Sequence, residues 1–327
     1  MFKMTMNINT MRILIGKSKN TNNIAFGGIR LIKTSTTGEQ QENFNLAKKL
    51  ALTMHKKIKC LGLPYSGVKI IGEYKNEKQK IFLLDNIAKH INQQKGSIVV
   101  GIDMGFSKKD IDYITKRSAY IIDTKKFAGK RTAEGVYLSI KTFLDKIKAS
   151  EPKIFIQGYG DVGRNLAKLL KTNIPHCSLG ISCLKKSTKK INQEKLGSKI
   201  DNKMLFNTEY DIFAPCAIPF VIDTHNIYLL KCKAVIGSSN NPLKNEFKMA
   251  SILKEKNIFY MPDFLVNSGG MTFLIESATK RKTNFKSRIK SITKKAMEDK
   301  QYKNTIDWAN NTFNLRNIKS TCTIVKI

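Results

Sequence analysis

The sequence is poor in acid: 25 Asp and Glu stand against 58 Lys and Arg, a formal charge of +33 over 327 residues. An excess of that size raises the question of a polyanionic partner. The lysines are scattered through every segment among many Asn and Ile, and no zinc-finger spacing, RNA-recognition sheet motif or basic-region zipper accompanies them. A specific nucleic-acid reader is therefore not expected. The six cysteines, Cys60, Cys177, Cys183, Cys216, Cys232 and Cys322, contain no CxxC pair. His55, His90, His176 and His225 stand alone, so the thiols read as reduced and no metal site is expected. No apolar run reaches membrane-span length, and Met1 to Asn20 lacks a long apolar core followed by a small-residue cleavage site. Neither a membrane partner nor a secretory signal is expected, which gives a cytoplasmic reading.

Apolar residues make up 41% of the chain, enough to bury a sizeable core and consistent with two domains. The most informative segment is Ile154-Phe-Ile-Gln-Gly-Tyr-Gly-Asp-Val-Gly163, which continues as Arg-Asn-Leu-Ala-Lys-Leu-Leu170. An apolar run enters three glycines, and Val162, Leu166, Leu169 and Leu170 leave them at helical spacing. A strand, a tight turn and a helix start in that order suit a dinucleotide pyrophosphate. Gly158 permits the turn, Gly160 lets backbone approach phosphate, and Gly163 lets the helix lie close to the strand. Tyr159, Asp161 and Val162 complete the turn.

Before this turn, apolar runs at 24–32, 68–71 and 98–102 alternate with helix-like stretches at 44–58 and 79–93, the pattern of an α/β domain. A further helix-like stretch at 133–147 ends before Pro152. After the turn, strand-like runs recur at 179–184, 210–214, 234–237 and 258–261, as a parallel doubly wound sheet requires. The part from Phe273 to Ile327 is mostly helical in pattern. The expected domains are 1–148, then 149–277, with C-terminal helices at 278–327 packing back on the first.

Three further segments carry chemistry. Lys57 and Lys69 flank a glycine-bearing loop; a desolvated lysine, or one beside another cation, has a lowered pKa and can act as a base, while a second can hold a carboxylate. Val99-Val-Gly-Ile-Asp103-Met-Gly105 delivers one acid at the carboxyl end of a strand, where ligands of open α/β sheets sit. Met261-Pro-Asp-Phe-Leu-Val-Asn267-Ser-Gly-Gly270 presents an amide beside a double glycine. Each also has a bland reading, as a solvated charge, a turn cap and a left-handed Asn respectively.

In order, Gly27-Gly28-Ile-Arg30-Leu31, the lysine pair, Ile102-Asp-Met-Gly105, Thr132-Ala-Glu-Gly-Val-Tyr137, the glycine turn, Asp211-Ile-Phe-Ala-Pro-Cys-Ala217, Ile236-Gly-Ser-Ser-Asn-Asn241 and Pro262 to Gly270 resemble the amino acid dehydrogenases of the glutamate, leucine, phenylalanine and valine group, nearest the leucine/phenylalanine branch. The resemblance implies an α/β substrate domain and a Rossmann-type doubly wound dinucleotide domain, with the active site in the cleft between them and a homo-oligomer assembled through the first. It makes Lys57 the cation for the substrate carboxylate, Lys69 the catalytic lysine and Asp103 its proton-transfer partner, while Asn267, Gly27 and Gly28 orient the substrate. Thr132, Ala214, Ala217, Ser239, Asn240 and Asn241 would border the cofactor. Phe26 stands where glutamate-specific relatives carry a lysine, which favours an apolar L-amino acid, converted to a 2-oxo acid and ammonia.

Three departures bear on that expectation. Val68 replaces a glycine before the catalytic lysine, and a shortened loop, Phe127 to Arg131, precedes Thr132. Cys183 stands where an acid for the ribose hydroxyls is expected. With Ser182, Lys185, Lys186 and Ser187 around it, NADP rivals NAD. The competing reading is a non-catalytic or divergent member that binds a nucleotide as a regulatory or biosynthetic subunit.

Overall fold

The computed structural model describes residues 11–18, 23–34, 38–183 and 188–326. In chain order the elements begin with β1 (Arg12–Ser18), β2 (Ala25–Lys33), α1 (Gly38–Cys60), β3 (Ser66–Tyr74), α2 (Glu77–Gln93), β4 (Ile98–Ile102), α3 (Lys108–Thr115) and β5 (Ile121–Ile122). They continue with α4 (Lys125–Lys146), β6 (Lys153–Gln157), α5 (Asp161–Asn173), β7 (Ser178–Ser182), α6 (Thr188–Glu194), β8 (Ser198–Lys199), β9 (Tyr210–Pro215) and β10 (Cys232–Val235). The last are α7 (Glu246–Glu255), β11 (Phe259–Tyr260), α8 (Asp263–Val266), α9 (Gly269–Thr279), α10 (Phe285–Glu298), α11 (Thr305–Thr312) and β12 (Ser320–Lys326). Among the described residues no helix is long and apolar enough to cross a membrane, and no group of three or more His, Cys, Asp or Glu could hold a metal.

The chain divides into two units, Met1–Lys126 with Met271–Lys282 and Asn317–Ile327, and Phe127–Gly270 with Thr283–Arg316. The first holds a sheet in the order β12-β1-β3-β2-β4-β5. β1 runs antiparallel to β12 and β3, and the remaining pairs are parallel. Side chains alternate across a strand, so each strand serves two layers. Ile13, Ile15, Ala25, Ile29, Leu31, Val68, Ile70, Ile98, Val100 and Ile102 face α2 and α3, where Leu83, Leu84, Ile87, Ile111 and Ile114 close the core. The opposite face meets α1 through Leu14, Ile71 and Ala47, and meets α9 through Phe26, Val99, Met271, Leu274 and Ile275.

Two glycines let α1 lie against that second face. A Cβ on Gly16 would stand 2.3 Å from the Ala47 carbonyl oxygen, and one on Gly67 would stand 2.3 Å from the His55 nitrogen. Val68 points the other way, into the core under α2 and α3. The branched side chain at this position therefore obstructs neither α1 nor the Lys69 face, contrary to the concern raised by the sequence.

The second unit holds an all-parallel sheet in the order β11-β10-β9-β6-β7-β8. Counted from β6 this is 3-2-1-4-5-6, the Rossmann order, in which direction reverses between β6 and β9 and ligands bind outside the carboxyl ends of those strands.

Several expectations are corrected. α10 and α11 fall in the second unit, where helices grouped with the first were expected. Phe285 meets the Arg131 guanidinium, Ser139 bonds Thr293 on the buried side of α10, and Asn304 ahead of α11 reaches Phe247 and Ser251 of α7. The returning segment is β12, a strand where helix was expected; its β-branched residues suit an edge pairing with β1. β1 itself carried no expectation. Phe127 to Arg131 is not a loop but the first part of α4, and Gly129 there leaves room for the Asp161 carboxylate, which a Cβ would meet at 1.6 Å. The unit boundary accordingly falls at 126/127 rather than 148/149.

Candidate active site

The polar centre of the first unit grows from the parallel register of three strands. Gly28 of β2 lies beside Lys69 of β3 and Gly101 of β4, and the chain leaves β4 into Asp103, whose N–H donates to the Ile29 carbonyl at 3.0 Å. The Lys69 ammonium meets Asp103 Oδ2 at 2.5 Å. A Cβ on Gly28 would stand 3.3 Å from Lys69 Nζ and 3.6 Å from the Asp103 Cβ, so the glycine presents bare backbone to the pair. Burial and the nearby Arg30 lower the Lys69 pKa, against the opposing pull of Asp103, whereas the two cations bring Asp103 down to about 2 against its own burial. At neutral pH the pair is thus a firmly charged carboxylate beside an amine that gives up its proton more readily than a solvated lysine.

Arg30 is the residue that the sequence reading quoted but gave no role. Its Nε and Nη2 both reach Asp103 Oδ2, each at 2.9 Å. The signal that could have found it is strand alternation, since Gly28 and Arg30 are two apart and share a face.

Lys57 is 8% exposed near the end of α1, where a cation also complements the carbonyl end of the helix. Phe26 is wholly buried, edge-on to Tyr65 with ring centroids 4.9 Å apart. It is a packed wall rather than an open contact surface; Met54, Leu63 and Tyr65 are among the partly exposed residues packed against its cluster. Gly27 faces away from Lys69, and a Cβ there would collide with the Val68 carbonyl. Gly27 permits the close approach of β2 to β3, and Gly28 is the glycine that faces the pair.

In the second unit the glycine turn adopts the geometry its spacing demanded. Gly158 has φ +101°, and a Cβ on it would strike Ala217 at the end of the neighbouring strand's loop. A Cβ on Gly163 would stand 2.0 Å from the Gly158 carbonyl, while one on Gly160 meets nothing within 4 Å. Gly160 caps α5 without a side-chain bond, and Asp161 and Val162 form its first turn, leaving helix N–H groups directed at open space. Gln157 Oε1 and Ser182 Oγ, on residues paired across β6 and β7, are buried without partners among the described residues. An open cradle at a helix start flanked by orphaned polar atoms fits a pyrophosphate-bearing nucleotide.

Other expected cofactor residues differ in detail. Tyr159 donates to Glu194 at 2.6 Å; Arg164 donates to the same carboxylate, and the hydrogen bonds of Arg164 and Tyr159 draw the Glu194 carboxyl down to about 2. Ala214 lies inside β9, fully buried, rather than on a loop. Cys183 follows β7 and offers no carboxylate; Lys185, Lys186 and Ser187 lie outside the described residues. Ser239 donates to the Ile218 carbonyl, and the Asn241 N–H donates to Asp263. Asn267 donates to the Ser238 carbonyl and to Asn240 Oδ1, which leaves its own Oδ1 buried and unpartnered among the described residues. The Thr132 hydroxyl accepts from the Gly270 N–H at 3.2 Å.

Sheet order and glycine turn define an α/β class with a Rossmann-type unit, and the first unit carries the Lys69–Asp103 pair. Residues 178–320 match the family model of glutamate/leucine/phenylalanine/valine dehydrogenase. The chain is 30% identical over 260 residues to leucine dehydrogenase of Thermoactinomyces intermedius, covering 76% of this chain and 69% of that one. The chain belongs to that dehydrogenase family. It is also 26% identical over 233 residues to L-tryptophan dehydrogenase of Nostoc punctiforme, 69% of this chain but 65% of the relative's length. The crystal structure of the Nostoc enzyme superposes with a TM-score of 0.71 at 24% identity over 89% of this chain and 87% of that one. A hetero-hexameric glutamate dehydrogenase of Thermus thermophilus shares the fold with a TM-score of 0.66 at 16% identity, over 90% of this chain and 79% of that one.

Proposed function

We propose that the protein is an amino acid dehydrogenase that converts an apolar L-amino acid, water and an oxidised nicotinamide nucleotide to the 2-oxo acid, ammonium, the reduced nucleotide and a proton. The observation that carries this reading is the Lys69–Asp103 pair facing the bare backbone of Gly28. When bound, the nicotinamide ring accepts the hydride from the amino acid Cα. Lys57 holds the substrate carboxylate, and Asn267 Oδ1 accepts from the amino group. Lys69, with its proton loosened by burial and Arg30, takes a proton from the water that adds to the imino carbon. Asp103 passes protons between the nitrogen and solvent as the C–N bond breaks. The glycine turn with Gly160 holds the pyrophosphate, and Thr132 and the segment 239–241 border the nicotinamide.

The wall of Phe26, Tyr65, Leu63 and Met54 carries no charge to meet a side-chain carboxylate, which supports leucine, phenylalanine or tryptophan over glutamate. The leucine, phenylalanine and tryptophan dehydrogenases among its relatives point the same way. We further propose a homo-oligomer, and NAD or NADP as the nucleotide.

The test is purified protein with a panel of L-amino acids and each nucleotide in turn, following nicotinamide reduction in the near ultraviolet at mildly alkaline pH. Turnover with an apolar amino acid supports the reading and identifies the nucleotide. Silence across the panel, with nucleotide binding shown by thermal shift, overturns it in favour of a non-catalytic subunit.

A further inference from the structure

Asp103 is loaded on one side only. Lys69 Nζ, Arg30 Nε and Arg30 Nη2 all converge on Oδ2, at 2.5, 2.9 and 2.9 Å. Oδ1 has no hydrogen bond among the described residues. A carboxylate has lone pairs on both oxygens and commonly accepts Arg through both of them, so this crowding is a specific arrangement and not the default for an Arg–Asp pair. Arg30 is placed to produce it: it stands two residues beyond Gly28 on the strand face that carries Lys69 and Asp103, and it is only 20% exposed.

We propose that Arg30 is a positioning residue that clamps Asp103 through Oδ2 and so reserves Oδ1 for proton transfer, while its fixed charge keeps the Lys69 amine available as a base. The proposal rests on the reading of Lys69 and Asp103 as the proton-transfer pair. The physical grounds are two. A guanidinium gripping one oxygen with two nitrogens restrains rotation of the carboxylate, which a single ammonium does not. A permanent cation beside a buried amine disfavours the protonated form, and the lowering of the Lys69 pKa has Arg30 among its causes. Without Arg30, burial alone would be left to oppose the pull of Asp103 on the Lys69 proton.

Two variants of the whole protein separate these roles. Arg30→Gln removes the charge and the clamp; Arg30→Lys keeps the charge and loses the two-nitrogen grip. The first readout needs no substrate: NMR titration of protein labelled at lysine Cε, with the Lys69 signal assigned by its loss in Lys69→Gln. The Lys69 midpoint is expected to rise by about one pH unit in Arg30→Gln and to stay within about half a unit of wild type in Arg30→Lys. The second readout is the pH profile. The acid limb of kcat/KM should move up with the midpoint in Arg30→Gln. In Arg30→Lys the limb should stay in place while kcat drops roughly tenfold, with nucleotide Kd unchanged in both variants.

An unchanged Lys69 midpoint in Arg30→Gln overturns the electrostatic role. Wild-type kcat at every pH in Arg30→Lys overturns the clamp, and that variant decides the matter if Arg30→Gln does not fold. Absence of turnover in the wild type would sink the dehydrogenase reading, while the titration would still judge the effect of Arg30 on Lys69.

Discussion

One face of the first unit's sheet carries two ion pairs, one buried and one half-buried, and they are built to opposite ends. At Glu73 both oxygens are used: Oε2 accepts from Arg12 at 2.8 Å and Oε1 from Asn43 at 2.8 Å, in a carboxylate that is 4% exposed. At Asp103 two cations crowd one oxygen, the other is unpartnered among the described residues, and the side chain is 29% exposed. The first arrangement fills both carboxylate oxygens and joins β1, β3 and α1, with Arg12 Nη2 left unpartnered among the described residues. The second is open and leaves a carboxylate with unused capacity beside a lysine of lowered pKa. Burial and charge alone do not distinguish structure from chemistry; the count of satisfied lone pairs does.

The comparison can be broken most forcefully at the open pair. Lys69→Ala is expected to lower kcat by about a thousandfold or more, since acid–base catalysis contributes on that scale, while thermal unfolding changes little because Asp103 keeps Arg30. Wild-type turnover in that variant would remove Lys69 from the chemistry. The closed pair should answer in reverse. Glu73→Ala leaves Arg12 buried without its partner and should cost about 3–5 kcal/mol of stability, read by denaturant unfolding, with kcat per folded molecule preserved. Equal losses of activity and stability in both variants would erase the distinction.

The glycine turn sharpens the same contrast within one motif. Gly163→Ala drives a Cβ into the Gly158 carbonyl and should lower Tm by several degrees, on the order of 2–4 °C per kcal/mol. Gly160→Ala meets nothing within 4 Å, so Tm should stay put while nucleotide Kd, measured calorimetrically, weakens roughly tenfold. A Gly160→Ala protein that binds nucleotide normally would show that the open space is not the phosphate cradle. The smallest effect concerns acid. Because the folded Asp103 carboxyl is held at about 2, below its ordinary 3.8, its charged form stabilises the fold above pH 3.8 and that contribution is lost as pH falls towards 2. Asp103→Asn should flatten the stability curve within that window, and an unchanged slope would contradict the lowered value.

How much was legible follows from the range of each interaction. The glycine turn was readable because strand, turn and helix start lie within six successive positions, and backbone sterics at each glycine are local. The alternation of strands and helices was readable for the same reason, from periodicity within windows of a few residues. Family resemblance then singled out Lys69 and Asp103, but it did not supply Arg30, whose role exists only once β2 and the end of β4 lie side by side. β12 escaped because an edge strand satisfies half its ladder and carries a weak apolar pattern; its partner β1 is some three hundred residues away in sequence. Val68 was misjudged because the sequence does not say which face of β3 a residue takes until register is known.

The sequence by itself determined the element types of the strongly periodic segments, the nucleotide-type turn and the chemical inventory, since these depend on backbone torsions and on side chains a few positions apart. Tertiary structure alone decided that Gly28 faces the Lys69 amine, that Lys69 and Arg30 share one oxygen of Asp103, that Tyr159 donates to Glu194, and that α10 and α11 belong with the second unit. Those outcomes are set by strand register and helix packing, where burial and charge couple residues that the chain keeps far apart.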